Sequence, residues 1–168
     1  NSTINVYDGE TLLGSTTVDS NGKWTFTTDT LTEGEHTFHV TATDKVGNVS
    51  QPSDDFVLNI DFTAPGIATD LAITDNVGAV TGALKDGDTT DDNTPTFSGQ
   101  AEANGMVIIY NGDDVIGSVK ADDNGNWTFT PDTLADGDYQ FTTTVTDTAG
   151  NTGETSAIVH ITIDTSAV

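Results

Sequence analysis

The chain has 168 residues, of which only 4 are basic and 27 are acidic, and its formal net charge is -23. Nucleic-acid binding is excluded because phosphate contacts need clusters of lysine and arginine, and an anionic membrane surface would repel the chain. The sequence has no cysteine, which excludes disulfides and thiolate metal sites. No apolar run is long enough for a membrane-spanning helix, so we expect no direct membrane insertion.

Threonine, valine and isoleucine are abundant and helical periodicity is missing, which predicts strands throughout and little helix. Apolar and polar residues alternate over Tyr139–Thr146 and Val159–Ile163, a pattern typical of half-buried strands. In the second half of the chain we predict seven strands, at 67–74, 96–102, 106–111, 114–121, 126–131, 138–146 and 157–164. We predict one long loop at 75–95, and loops of that length are uncommon unless they are functional or held by ligands.

Turn residues between the strands, such as Asn111–Gly112, occur at the spacing expected of an all-β sandwich. We therefore predict that the complete unit is a Greek-key β-sandwich. Seven apolar residues are predicted to form its core: Phe97, Ile109, Trp127, Phe141, Val145, Ile161 and Ile163.

The two halves of the chain are copies of each other. Residues 104–168 repeat residues 1–65 without a gap at an offset of 103 positions, so that Trp24 aligns with Trp127 and Asp44 with Asp147. This predicts tandem domains: 1–61 as the C-terminal part of a first repeat, and 62–168 as a second, complete repeat. A full first repeat would begin roughly forty residues before Asn1, so we expect the chain to be cut from a longer protein.

The incomplete first repeat has a consequence for stability. Without its first two strands it is not expected to close an independent core. We therefore expect residues 1–61 to depend for their stability on contacts with a neighbour or with residues outside this sequence.

Five short motifs carry a resemblance to a known family. They are Asp61–Pro65 (DFTAP), Asp92–Pro95 (DNTP), Asn124–Phe129 (NGNWTF), Leu134–Gly137 (LADG) and Thr146–Asn151 (TDTAGN). In this order they resemble the bacterial immunoglobulin-like repeats that form the stalks of giant secreted adhesins. The sequence departs from that pattern at its end, where Ser166, Ala167 and Val168 replace a proline-ended linker.

The resemblance implies tandem immunoglobulin-like sandwiches that are exported without cysteine and rigidified by Ca²⁺ at or near their junctions. It implies an extracellular or cell-surface location and neighbouring repeats of the same kind as partners. It also implies a distal host or surface ligand that other domains of the parent protein bind.

Carboxylates are predicted to gather at both ends of the second repeat, because a sandwich places its loops in two groups. Like charges about 4 Å apart repel by roughly 1–4 kcal/mol, and calcium accepts six to eight oxygen ligands. One predicted calcium site, at the joint between the repeats, uses Asp61, Asp122, Asp123 and Asp147. A second, at the far end, uses Asp86, Asp88, Asp91, Asp92 and Asp164. The alternative is that these aspartates are solvated turn residues.

Other chemistry has little support in the sequence. Nucleophile motifs and phosphate-binding glycine loops are missing, so we expect no enzyme activity. Trp24 and Trp127 could stack on sugars, but their repetition beside phenylalanines predicts a core role. The three histidines, His36, His39 and His160, are predicted to be surface or edge residues without a zinc site.

Three functions therefore remain open. The leading hypothesis is a structural extender that projects a distal binding domain from a bacterial surface. The alternatives are a carbohydrate- or protein-binding sandwich of an adhesin or extracellular enzyme, and an accessory domain of an enzyme.

Overall fold

The computed structural model describes residues 2–166. The chain divides into two compact units, Asn1–Phe62 and Thr63–Val168, and every regular element within residues 2–166 is a β-strand. The all-β prediction is therefore confirmed. Within the described residues no helix is long and apolar enough to span a membrane.

The first unit consists of one antiparallel sheet with the strand order β2-β1-β3-β4. Ile4 and Val6 of its central strand β1 are buried. The register between β1 and β2 shifts between Val6 and Tyr7, as at a β-bulge. The strands are β1 (Thr3–Asp8), β2 (Thr11–Thr17), β3 (Gly34–Thr43) and β4 (Phe56–Ile60).

The second unit consists of two sheets, with the strand orders β10-β9-β12-β13-β7 and β11-β8-β5-β6. The first sheet is antiparallel except where β7 runs parallel to β13. The strands are β5 (Thr69–Asp75), β6 (Gly82–Leu84), β7 (Asp88–Thr90), β8 (Thr96–Gln100), β9 (Met106–Asn111), β10 (Asp114–Lys120), β11 (Asn126–Phe129), β12 (Gly137–Thr146) and β13 (Val159–Ile163).

The core of the second unit contains residues from both of its sheets. All seven predicted core residues are buried, together with Ile73, Val107, Ala68 and Ala121. Phe97 of β8 lies at the centre, with its ring 4.9 Å from that of Phe141 in an edge-on arrangement and 6.3 Å from that of Phe129. Both distances fall in the range that aromatic pairs prefer.

The sequence predicted one long loop at 75–95, but this segment contains two short strands. It contains β6, which pairs with β5, and β7, which adds to the edge of the first sheet beside β13. Each of these strands has only three residues, which is too short for an alternating pattern to be recognised.

The sheet of the first unit corresponds strand for strand to part of the second. Adding 103 to the bounds of β1, β2, β3 and β4 gives the bounds of β9, β10, β12 and β13. The pairing register is also the same, since Thr3 faces Thr43 as Met106 faces Thr146. The repeat seen in the sequence is therefore a repeat of the backbone.

Two predictions for the first unit are wrong. Trp24 is 41% exposed although its counterpart Trp127 is only 3% exposed, because residues 23–26 do not form the strand that residues 126–129 form. His36, predicted at the surface, is buried. Its two ring nitrogens lie 2.5 Å from Asp8 Oδ2 and 2.8 Å from the carbonyl oxygen of Thr32.

Candidate functional site

The Asp147 loop at one end of the second unit is closed by a single carboxylate. Asp147 Oδ1 accepts backbone N–H bonds from Ala149 at 2.9 Å, Gly150 at 2.7 Å and Asn151 at 2.9 Å. Its Oδ2 accepts the side-chain amide of Asn151 at 2.8 Å. These bonds favour the charged form, so they lower the pKa of Asp147, with the Asn151 side chain as the largest cause.

The first unit has the same device at the equivalent position. Asp44 Oδ1 accepts the backbone N–H groups of Val46 and Asn48, both at 2.9 Å, and its Oδ2 accepts the Asn48 side chain at 2.8 Å. The pKa of Asp44 is lowered for the same reason, with the Asn48 side chain as the largest cause. The repeated aspartate therefore acts as a loop clamp in both units.

Asp122 holds a second loop at the same end of the second unit. Its Oδ1 accepts the backbone N–H groups of Asn124 at 2.9 Å and Asn126 at 2.8 Å. The bond from the backbone N–H of Asn126 is the largest cause of the lowered pKa of Asp122. The neighbouring Asp123 accepts the side-chain amide of Asn104 at 3.0 Å. The loop at 102–105 thus meets the loop at 122–123, as the sandwich topology predicted.

The segment that leads into the second unit also lies at this end. The side-chain amide of Asn151 lies 3.5 Å from the carbonyl oxygen of Thr63. Pro65 is buried, and a Cβ atom added to Gly153 would lie only 2.2 Å from the Pro65 carbonyl oxygen. Residue 153 therefore has to be glycine for this close backbone approach. Asp61 belongs to the other unit, so its partnership with Asp147 stays a prediction.

Three of the five aspartates predicted at the far end line one open cleft. Asp88, Asp91 and Asp164 surround a volume of about 570 Å³ together with Asp75. Asp88 Oδ2 accepts the N–H of Lys85 at 2.7 Å and Asp164 Oδ1 accepts the N–H of Ser166 at 3.0 Å. Bonds from Ser166, its side chain first, lower the pKa of Asp164.

Sequence reasoning missed Asp75. It is buried, and its Oδ2 accepts the Thr90 hydroxyl at 2.6 Å while its Oδ1 accepts the N–H of Val77 at 2.9 Å. Its position at the end of an alternating strand, just before a glycine-rich segment, was the available signal. The aspartate was not singled out because the preceding apolar residues explained the strand by themselves.

The other two predicted far-end aspartates are held elsewhere. Asp86 accepts the backbone N–H of His160 at 2.7 Å and lies 2.9 Å from His160 Nδ1. The backbone bond is the largest cause of the lowered pKa of Asp86. Asp92 is buried and accepts the N–H groups of Asn76 at 2.8 Å and Thr94 at 2.9 Å. Asp86 therefore fastens its loop to strand β13, and Asp92 fastens the backbone at residues 76 and 94.

The aspartate oxygens have the chemistry that calcium prefers, but their arrangement fits a metal ion only in part. Within residues 2–166, no three acidic or histidine side chains are grouped so that they could hold a metal. A cation would have to compete with N–H groups for the oxygens of Asp122, Asp147 and Asp92. Asp88 and Asp164 line one cleft with Asp91 and each use a single oxygen in the bonds above. The far cleft is therefore a better match than the loop of Asp147, whose two oxygens both accept hydrogen bonds. The calcium sites stay predictions.

Comparison with known proteins agrees with this architecture. The sequence profile described as "Bacterial Ig-like domain" matches residues 1–62 and 67–165. Among solved structures, the fibronectin(III)-like modules of Clostridium thermocellum CbhA are similar, with a TM-score of 0.53 and 14% identity over 97% of this chain and 78% of that chain. This likeness supports the β-sandwich fold.

A biofilm associated protein, in its BSP domain, matches 99% of this chain but only 25% of its own, with 18% identity and a TM-score of 0.40. No curated protein sequence matches the chain significantly. The profile match covers most of both units, and the family resemblance of the sequence motifs is confirmed. The chain belongs to the bacterial Ig-like domain family.

Proposed function

We propose that this chain is an extender segment of a large bacterial surface adhesin. In this proposal it lies outside the cell, its partners are neighbouring Ig-like repeats, and other domains of the parent protein bind the distal target. It has no catalytic role. The observation that carries the proposal is the tandem repetition of one sheet in the same register, together with the very short connection between the two units.

The short connection supports an extender because it leaves little chain that can bend. Strand β4 ends at Ile60, while Thr63 and Pro65 already contact the loop at 151–153 of the second unit. Only Asp61 and Phe62 separate these two fixed points. Proline further restricts the residue before it. This segment is much stiffer than a glycine- and serine-rich tether would be.

The charge of the chain fits a long exposed polymer. A net charge of -23 keeps copies soluble and apart through mutual repulsion. Loop clamps by Asp44 and Asp147 hold the turns at the same place in each unit. The same loop is therefore fastened in the same way in each repeat.

We further propose that Ca²⁺ rigidifies the junctions. The candidate ligands at the joint between the units are Asp61, Asp122, Asp123 and Asp147. The candidate ligands in the far cleft are Asp88, Asp91 and Asp164. A bound cation would neutralise carboxylates that otherwise repel one another. Binding to the folded form alone adds stability as RT ln(1 + [L]/Kd), about 2.7 kcal/mol at a hundredfold excess over Kd.

The test is thermal unfolding and small-angle scattering of the 168-residue chain with Ca²⁺, with Mg²⁺ and with a chelator. We expect Ca²⁺ to raise the melting temperature and to reduce flexing between the units. Asp91→Asn should weaken the effect, whereas Asp113→Asn, in an exposed hairpin turn, should not. Identical melting and scattering in all three conditions would exclude a role for calcium. The acidic residues would then serve only to keep the protein soluble.

One observation favours a second function. Trp24 is exposed, and exposed indole rings are suited to stacking on sugars or on a protein partner. Trp127 is buried and cannot act in this way. A binding module would show saturable quenching of Trp24 fluorescence by a glycan or a protein ligand, with no effect in a Trp24→Phe variant.

A further inference from the structure

A cleft on one face of the second unit takes no part in the predicted calcium sites or in the connection between the units. Its volume is about 640 Å³, and small-molecule sites usually have about 300–1,000 Å³. Thr142 and Thr144 of β12 are nearly buried and form its floor. Tyr110 of β9 lines one side, and the segment 155–158, just before β13, lines the other. We call this place the Tyr110 cleft.

The segment 155–158 is fastened to β12 by one serine. The N–H of Ser156 donates to the carbonyl oxygen of Thr143 at 2.9 Å, and Ser156 Oγ accepts the N–H of Thr143 at 2.9 Å. The first unit has the same pair of bonds between Ser53 and Val40, at 2.9 Å and 3.0 Å. Both units therefore hold the same wall beside the same strand.

In the first unit a histidine occupies the space between these walls. The ring of His39 stacks on that of Tyr7, with the ring centres 5.0 Å apart and the planes 7° from parallel. On its other side, His39 Nδ1 lies 3.9 Å from Asp55 Oδ1. The hydroxyl of Thr41 is buried there without a hydrogen-bond partner among residues 2–166. The groove of the first unit is therefore filled by one of its own side chains.

A single exchange opens the same groove in the second unit. Thr142 stands where the first unit has His39, and threonine is too short to lie over the ring of Tyr110. Thr142 is only 8% exposed, but in the part of the chain that the structure describes its hydroxyl has no hydrogen-bond partner. Polar groups that are nearly buried are normally hydrogen-bonded. This hydroxyl can therefore bond to a ligand in the cleft.

The side chains around the Tyr110 cleft indicate an uncharged sugar as the ligand. The ring of Tyr110 offers an apolar face for the C–H groups of a pyranose, and Ile158, which is 49% exposed, adds an apolar surface opposite. The hydroxyl of Thr142 and the side-chain amide of Gln140 both donate and accept hydrogen bonds, as sugar hydroxyls do. Asp113 also lines the cleft. Its carboxylate accepts hydrogen bonds but repels an anionic ligand.

We propose that the Tyr110 cleft binds a neutral pyranose unit of a glycan. The ring of Tyr110 stacks on one face of the sugar, and Thr142 and Gln140 form hydrogen bonds with its hydroxyl groups. The matching place in the first unit is taken by His39. This inference goes beyond the extender function and does not depend on it, because it rests only on the cleft and on its filled counterpart.

The test is nuclear magnetic resonance of the isotope-labelled 168-residue chain, titrated with the methyl glycosides of glucose, galactose and mannose. We expect at least one of them to bind weakly, because so small a ligand has few contacts to offset the cost of association, and to shift the amide signals of Thr142 and Thr144. Tyr110→Ala should weaken this binding by about tenfold or more. The matched control is Tyr7→Ala, which should leave binding unchanged because His39 already covers the Tyr7 ring.

Thr142→His tests the cleft without removing either of its walls. The new histidine should stack on Tyr110 as His39 stacks on Tyr7 and should abolish binding, while the fluorescence of the buried Trp127 shows that the second unit is folded. Sugar binding that persists in this variant would overturn the proposal, as would a titration in which none of the three glycosides shifts the amide signals of the cleft.

Two further probes test the chemical class of the ligand. Methyl glucuronide carries a carboxylate that the acidic chain repels, so it should not bind, and binding equal to that of the glucoside would overturn the assignment of a neutral sugar. Imidazole tests for a protein side chain in the place that His39 occupies in the first unit. Binding of imidazole in the cleft, with no binding of the glycosides, would also overturn the proposal, because the occupant would then be a side chain of a protein partner.

Discussion

The contact between Gly153 and Pro65 can be tested with one methyl group. In Gly153→Ala the new Cβ would lie 2.2 Å from the Pro65 carbonyl oxygen and 3.2 Å from its carbonyl carbon. Ordinary carbon–oxygen contacts are about 3.3–3.6 Å, so one of the two backbone segments has to move by about 1 Å. Gly153 does not have a positive φ, so the effect is one of space and not of backbone strain.

Overpacking of this kind costs about 1–3 kcal/mol. Each kcal/mol lowers the melting temperature by about 4–8 °C in a domain of 60–100 residues, so the second unit should melt at least several degrees earlier. The assay is thermal unfolding followed by the fluorescence of the buried Trp127. Gly66→Ala is the matched control, because a Cβ there meets no atom within 4 Å. Equal melting of Gly153→Ala and the unmodified chain would refute the packing of Pro65 on this loop.

Two further predictions compare the units with each other. Trp127→Ala should destabilise the second unit by about 3–5 kcal/mol, while Trp24→Ala should cost much less because this side chain is 41% exposed; equal losses in denaturant titrations would contradict the assignment of the core. The hydrogen bond between Asp8 and His36 raises the pKa of His36 above 6.5 and lowers the pKa of Asp8 below 3.8. The contribution of His36 to stability is therefore present below pH 6.5 and is lost as the pH rises through the raised pKa of His36 in the folded state. The contribution of Asp8 is present above pH 3.8 and is lost as the pH falls through the lowered pKa of Asp8 in the folded state. His36→Tyr, which copies Tyr139 of the second unit, should remove the loss at high pH, and an unchanged pH profile of Trp24 fluorescence would count against this ion pair.

The core of the second unit could be predicted from the sequence because alternation along a strand directly determines which side chains share a face. Phe141 and Val145 are two such residues, and both are buried. The short strands β6 and β7 could not be predicted, since three residues contain too little pattern. Their positions depend on partners distant in sequence, such as β13.

The exposure of Trp24 shows a second limit. Its sequence context is nearly that of Trp127, but burial depends on a strand that pairs across the sheet. His36 was misplaced for a related reason. It occupies the position of Tyr139, whose hydroxyl donates to the carbonyl of Ala135 at 2.8 Å, and a histidine can make the same bond to Thr32.

Sandwich topology predicted which loops lie together at each end of the second unit, but the acidic sites themselves stay predictions. Asp122 and Asp123 do lie with the loop at 102–105. However, the sequence cannot show which carboxylates are used by nearby N–H groups. Asp92 illustrates this, because its oxygens fasten the residues around it.

The central claim is that the connection at 61–62 is stiff. Pulsed electron–electron double resonance tests this most directly, because it measures the distribution of distances between two spin labels. The chain has no cysteine, so Ser15→Cys and Ser118→Cys can carry one label in each unit at equivalent, exposed positions. We predict one narrow distance distribution, which Gly153→Ala should broaden. A distribution in the unmodified chain as broad as that of a variant with a glycine- and serine-rich insertion after Phe62 would contradict the extender function.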